Sequence, residues 1–100
     1  MRHTLDVAVG PPVVHDDERH RYEMDLGDGV AVAEYLPVPG GVVFTHTVVP
    51  AAHEGRGMGS RLVGAALADA RWRGWTVQAR CWFVADFLRL HRQYADVQDP

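Results

Sequence analysis

The 100-residue chain predicts a mixed α/β fold, α+β in the sense that its sheet is mainly antiparallel. An antiparallel β-meander is followed by a β-α-β-α segment that contributes one parallel pair of strands. Three observations predict this. From Arg21 to Val49, apolar and polar residues alternate with the strand period, interrupted by glycine and proline. From Met58 to Ala70, apolar residues recur at helical spacing. Between the two lies the glycine-rich connection Glu54-Gly55-Arg56-Gly57-Met58-Gly59-Ser60.

The elements follow in order. Leu5, Val7 and Val9 alternate like a strand that Gly10-Pro11-Pro12 stops, and His15 to His20 reads as a solvated polar turn after Val13-Val14. Tyr22, Met24 and Leu26 alternate with Arg21, Glu23 and Asp25, and Gly27-Asp28-Gly29 is a turn. Val30 to Val38 is the next strand, ended by Pro37, Pro39, Gly40 and Gly41; Val42 to Val49 is the third. Ala51 to Gly59 reads as loop. Met58, Leu62, Val63, Ala66, Leu67 and Ala70 form the apolar stripe of a helix, with Asp69 and Arg73 as an i,i+4 pair and Gly74 as its stop. Trp75 to Cys81 is a short strand, Phe83 to about Arg92 a second helix, and Tyr94 to Pro100 a polar, frayed tail. The crossover rule makes the strands before and after the first helix parallel neighbours. Length suits one domain over 1–100, its core running from about 21 to 96.

Composition bounds the function. The hydrophobic fraction is 47% and the charged fraction 23%, ordinary for a globular chain. The net charge of −3 gives no basic field for nucleic acid. No apolar run reaches the ~20 residues of a membrane span, and the N-terminal residues do not read as a secretion signal. The lone Cys81 excludes an internal disulfide and fits a reducing cytoplasm. His3, His15, His20 and His53 have no metal-ligand spacing and read as surface residues, so no metal is expected.

The glycine connection is the strongest chemical signal. A helix start presents free N–H groups and partial positive charge, and glycines let the backbone close on a phosphate. Arg56 adds charge and Ser60 a hydroxyl. A P-loop would end in Gly-Lys-Ser/Thr, and this chain has no lysine. A dinucleotide fingerprint would place an acidic residue about where Cys81 stands. A tight strand-to-helix connection with no ligand is the bland alternative.

Val48-Val49-Pro50, the loop Glu54–Ser60 and Leu62 together resemble the acetyl-coenzyme A motif of the GNAT superfamily of N-acetyltransferases, and in particular its short branch of about 100 residues. Phe44-Thr45-His46-Thr47, Cys81-Trp82-Phe83-Val84 and His91-Arg92-Gln93-Tyr94-Ala95-Asp96 extend the resemblance from about Tyr22 to Asp96. Glu54 stands where the superfamily has Gln or Arg, and no proline follows His91. The resemblance implies a GNAT-like fold whose parallel pair flanks the cofactor cleft. It implies acetyl-coenzyme A (acetyl-CoA) as cofactor, held by Val48, Val49, Glu54, Gly55, Arg56, Gly57, Met58, Gly59 and Ser60. The Val49 N–H is the expected oxyanion donor; the side chains of Val48 and Val49 are expected in the core.

Three residues are candidates for the chemistry. Cys81 suits a transient acyl acceptor, or a small pocket-lining residue. His46 suits a general base, or an exposed strand histidine. Tyr94 suits a proton donor to the departing thiolate, or an aromatic cap on the last helix. Trp82 is expected to face away from the pocket as long as the strand continues to it. The expected function is acetyl transfer from acetyl-CoA to an amine of a protein or small molecule by a cytoplasmic monomer or weak homodimer. The alternatives are a non-catalytic acyl-CoA-binding module and a structural interaction domain.

Overall fold

The computed structural model describes residues 1–5 and 10–99. Val7 and Val9 of the first expected strand fall outside them. The strands are β1 (Arg2–Leu5), β2 (Val13–Asp16), β3 (Arg21–Asp25), β4 (Val30–Val38), β5 (Gly41–Val48) and β6 (Thr76–Ala79). The helices are α1 (Met58–Arg73) and α2 (Trp82–Leu90). The six strands lie in sequence order in one sheet, β1 to β5 antiparallel and β5–β6 parallel. This is the mixed α/β architecture, of GNAT-like form, that the sequence predicts.

One face of the sheet carries the core. Val13, Tyr22, Met24, Ala33, Tyr35, Val42, Phe44 and Val77 are buried with Leu62, Val63, Ala66, Leu67 and Ala70 of α1 and Val84, Phe87 and Leu88 of α2. The two helices pack closely because glycines allow it: a Cβ on Gly59 would sit 2.7 Å from the Phe83 ring. Gly74 ends α1 in the left-handed region at φ 75°, its N–H capping Ala70 and Arg71 carbonyls, as the sequence predicts.

Several expectations are corrected. The polar stretch after Val14 is not all turn. His15 and Asp16 belong to β2, paired with Tyr22 and Arg21, and both are buried. The buried Asp16 carboxylate is paired: Arg2 reaches both Asp16 (3.1 Å) and the buried Glu23 (2.6 Å) across the strands. The connection after Val48 contains a one-turn 3₁₀ helix, Ala51–His53, and α1 takes up Met58 and Gly59. Strand β6 stops at Ala79, and Cys81 instead occupies the N-cap of α2. The tail is ordered: Arg92–Val97 is a 3₁₀ helix, Val97 is buried, and the Asp99 N–H donates to the Val77 carbonyl at 2.8 Å.

His15 carries a consequence for stability. It is fully buried, its Nε2 lies 2.6 Å from the Tyr35 hydroxyl, and its Nδ1 has no partner. Burial first, and then the charge of Arg73, hold its pKa below the ordinary 6.5. The unfolded chain therefore takes up this proton first as pH falls. The stability from keeping His15 neutral is complete above about pH 6.5 and is lost as pH drops towards the folded-state value. Urea midpoints should fall from pH 6.5 to pH 5, and His15→Gln should flatten that decline; an unchanged slope in the variant would refute the assignment.

Candidate functional site

The site forms where β5 and β6 part. Their pairing ends at Phe44↔Ala79. The Phe44 carbonyl then accepts from both Arg80 N–H (2.9 Å) and Cys81 N–H (3.2 Å), and the chain turns away into α2. Among the described residues, Thr45 to Val49 therefore have no strand on that side. The V-shaped opening leads into a cavity of about 570 Å³ lined by Thr47, Val49, the His53–Gly55 segment, the first turn of α1, Trp82 and Phe83.

A bulge decides which β5 residues face it. Glu34 pairs with His46 and Tyr35 with Phe44, so Thr45 is an extra residue without a partner on β4. The alternation flips there. Thr47 pairs with buried Ala33 and faces the helices; His46 pairs with Glu34 on the opposite face. His46 is accordingly 71% exposed, 3.9 Å from Glu34, with Nδ1 3.1 Å from the Thr45 hydroxyl. It does not line the cavity. Val48 also lies on that open face and is 54% exposed, which corrects its expected place in the core; the Val49 side chain is half-buried and lines the cavity.

The glycine loop is shaped by backbone need. Gly55 (φ 76°) and Gly57 (φ 79°) occupy the left-handed region, with open space where a side chain would stand. Gly57 caps α1 without any side-chain hydrogen bond, and no acidic residue stands in the first turn. The first helical bond is Arg61 N–H to Gly57 O at 3.1 Å, so the N–H groups of Met58, Gly59 and Ser60 have no partner within the helix. The helix start is thus unneutralised by its own chain, which fits it for an external anion such as a pyrophosphate. Met58, Gly59 and Ser60 line the cavity with Glu54, Gly55 and Gly57; Arg56 is exposed and does not.

Cys81 sits at the edge of this opening, 9% exposed. Its thiol donates to the Thr47 hydroxyl at 3.4 Å. Burial pushes its pKa up, but the Thr47 hydroxyl and the Val84, Phe83 and Thr47 amides outweigh it and leave the thiol below its ordinary range. Because β6 has ended before Trp82, the condition for its facing away is not met, and Trp82 turns to the cavity, 76% exposed.

Tyr94 is placed elsewhere. It lines a neighbouring groove of about 430 Å³ with Arg61, Gly64, Phe87 and His91, a groove that shares only Ser60 with the cavity. Its ring packs on Phe87 and under the Arg71 guanidinium at 5.1 Å. The structure therefore gathers Thr47, Val49 and the glycine loop around the cavity, with Cys81 at its border against Thr47 rather than among the lining residues, and leaves His46 and Tyr94 outside. It also brings in His53, whose Nε2 lies 2.7 Å from Asp28. No spacing rule signals this partnership, which joins a hairpin turn to the loop 25 residues later.

A family model described as GCN5-related N-acetyl-transferase matches residues 21–97, that is, from β3 through the last 3₁₀ helix. No curated protein matches the chain.

Proposed function

We propose, for a chain that belongs to the GCN5-related N-acetyltransferase family, that it transfers an acetyl group from acetyl-CoA to an amine of a protein or small molecule. The observation that carries this reading is the opening between β5 and β6, lined at one end by an uncapped helix start and bordered at the other by a thiol of lowered pKa. A non-catalytic acyl-CoA-binding module would need the first end and not the second.

In this reading the amides of Met58, Gly59 and Ser60 and the Ser60 hydroxyl hold the pyrophosphate, and Gly55 and Gly57 give the loop its shape. The backbone of Val48 and Val49 lies along the pantetheine and thioester, with the Val49 N–H donating to the carbonyl oxygen as it becomes anionic. Acetyl-CoA supplies the activated acyl carbon. The groove beyond Ser60, with Arg61, receives the nucleotide end.

The contact of the Cys81 thiol with Thr47, which lines the cavity, supports relay through Cys81. Its thiolate, held by the Thr47 hydroxyl, takes the acetyl group as a thioester while coenzyme A leaves as the thiol with the proton that Cys81 gave up. A neutral amine then takes the acetyl group from Sγ, and its proton returns to sulfur. In the direct route the amine arrives over the open face of the sheet and gives its proton to His46.

Saturating acetyl-CoA at ~100 times Kd should stabilise the protein by about 2.7 kcal/mol. Cys81→Ser should lower kcat/KM by at least ~100-fold, the scale of losing a positioned catalytic group, with acetyl-CoA affinity unchanged and with loss of the acetylated peptide seen by mass spectrometry. A fully active Cys81→Ser with an inactive His46→Ala would establish the direct route. A protein that binds acetyl-CoA but acetylates no amine and no cysteine would establish the binding module.

A further inference from the structure

His53 ends the 3₁₀ turn Ala51–His53 and immediately precedes the glycine loop. Its side chain is 20% exposed and lines the cavity. Asp28, at the tip of the β3–β4 turn, lies 2.7 Å from its Nε2. The turn is seated on the exit from β5: a Cβ on Gly29 would stand 2.9 Å from the Pro50 ring. The hydrogen bond to His53 holds Asp28 below the usual carboxylate range, so near neutral pH it is an acceptor only. Nε2 must then carry the hydrogen, which leaves the lone pair on Nδ1. Among the described residues the one buried, unpartnered side-chain nitrogen or oxygen is His15 Nδ1, so the unpartnered Nδ1 of His53 is open to solvent.

The cavity contains an uncapped helix start but almost no mobile positive charge. Of its lining residues, His53 alone can become a cation. The charged groups around it are Asp28 from the turn and Glu54 from the loop; β5 and α2 present Thr47, Val49, Trp82 and Phe83, which carry none. An anion bound in the cavity favours the imidazolium over the neutral ring. Once Nδ1 is protonated, the ring offers a second, charge-assisted N–H while Asp28 keeps the first.

We propose that His53, oriented by Asp28, is a proton-linked ligand of the cofactor pyrophosphate, so that cofactor binding takes up a proton at Nδ1. The inference rests on the acyl-CoA reading above and adds to it a specific residue and a pH dependence. Affinity is highest where the imidazole is charged and falls as pH rises through its titration.

Titration calorimetry with 3′-dephospho-coenzyme A tests this, because that ligand has no phosphate monoester to titrate near neutrality. In buffers of different ionisation enthalpy, the wild type should take up protons on binding, and its affinity should fall about tenfold from pH 6 to pH 8, the scale of one charge-assisted hydrogen bond. His53→Gln should bind with no proton uptake and a flat pH profile. Asp28→Asn, which takes away the anionic acceptor that orients the ring, should bind more weakly than the wild type. Equal proton uptake in wild type and His53→Gln would overturn the proposal while leaving the cofactor reading intact. A wild type that binds neither this ligand nor acetyl-CoA at any pH would overturn both.

Discussion

Asp69→Ala should cost about 3 kcal/mol of folding stability, a large share of the roughly 5–15 kcal/mol that a domain has. The carboxylate stands at the interface of α1 and the sheet, its side chain only 8% exposed. It accepts from the Tyr22 hydroxyl at 2.7 Å and from Arg73 Nε at 2.8 Å, and His15 Nδ1 is 3.9 Å away. Tyr22 is fully buried, so its hydroxyl would be left unpaired without access to water. Arg73, 24% exposed and 5.1 Å from the Trp75 ring, would lose its counter-charge but still reach solvent. That escape places the cost at the lower end for breaking a buried pair. Asp69→Asn keeps an acceptor for Tyr22 and loses only the charge, so it should cost about half as much. Combined with Tyr22→Phe, Asp69→Ala should be non-additive by about 1 kcal/mol, because both remove the same bond. Urea denaturation of the wild type, the three single variants and the double variant checks this. A loss under ~1 kcal/mol, or strict additivity, would show that the contact contributes little.

The same contact shows where sequence reading reached its limit. Asp69 and Arg73 are visible in the sequence as an i,i+4 pair, ordinarily a solvated one worth a few tenths of a kcal/mol. Nothing local says that the pair turns inward to meet Tyr22, because that depends on which face of β3 lies under α1. The meander, the helix and the parallel pair were legible because apolar periodicity and glycine stops are local signals, and the family match over residues 21–97 agrees with them. The site was legible as far as the glycine loop, which is contiguous. It was not legible where one residue shifts a strand's phase. The unpaired Thr45 turns Thr47 to the cavity and His46 away from it, and an alternation rule carried through a bulge gives the reverse. The sequence pattern runs on from β6 into the α2 cap and so places Cys81 in a strand, whereas the Phe44 carbonyl, accepting from both Arg80 and Cys81 N–H, ends the strand early. His15 and Asp16 read as solvent-facing because their partners lie on other strands.

The β5–β6 opening makes its own demand on Gly41. This residue begins the only paired stretch of the two strands, opposite Thr76. A Cβ there would lie 2.0 Å from the Thr76 carbonyl oxygen and 2.6 Å from its hydroxyl. The oxygen is backbone, so it cannot swing aside as a side chain would; β6 must move. Since β6 is held to β5 only from Gly41 to Phe44, a displacement at one end shifts the other, where Phe44 O anchors Arg80 and Cys81. Gly41→Ala should therefore cost about 3 kcal/mol, the upper range for forced overpacking, and lower Tm by roughly 12–24 °C at 4–8 °C per kcal/mol. It should also weaken acetyl-CoA binding, measured at a temperature where the variant is still folded. Gly40→Ala is the internal control. Gly40 has φ 77° but open space around its Cβ position, so it should lose only about 1 kcal/mol to left-handed strain and keep full affinity. If Gly41→Ala melts within a few degrees of the wild type, β6 has room to yield, and the opening is not set by close approach of the two backbones.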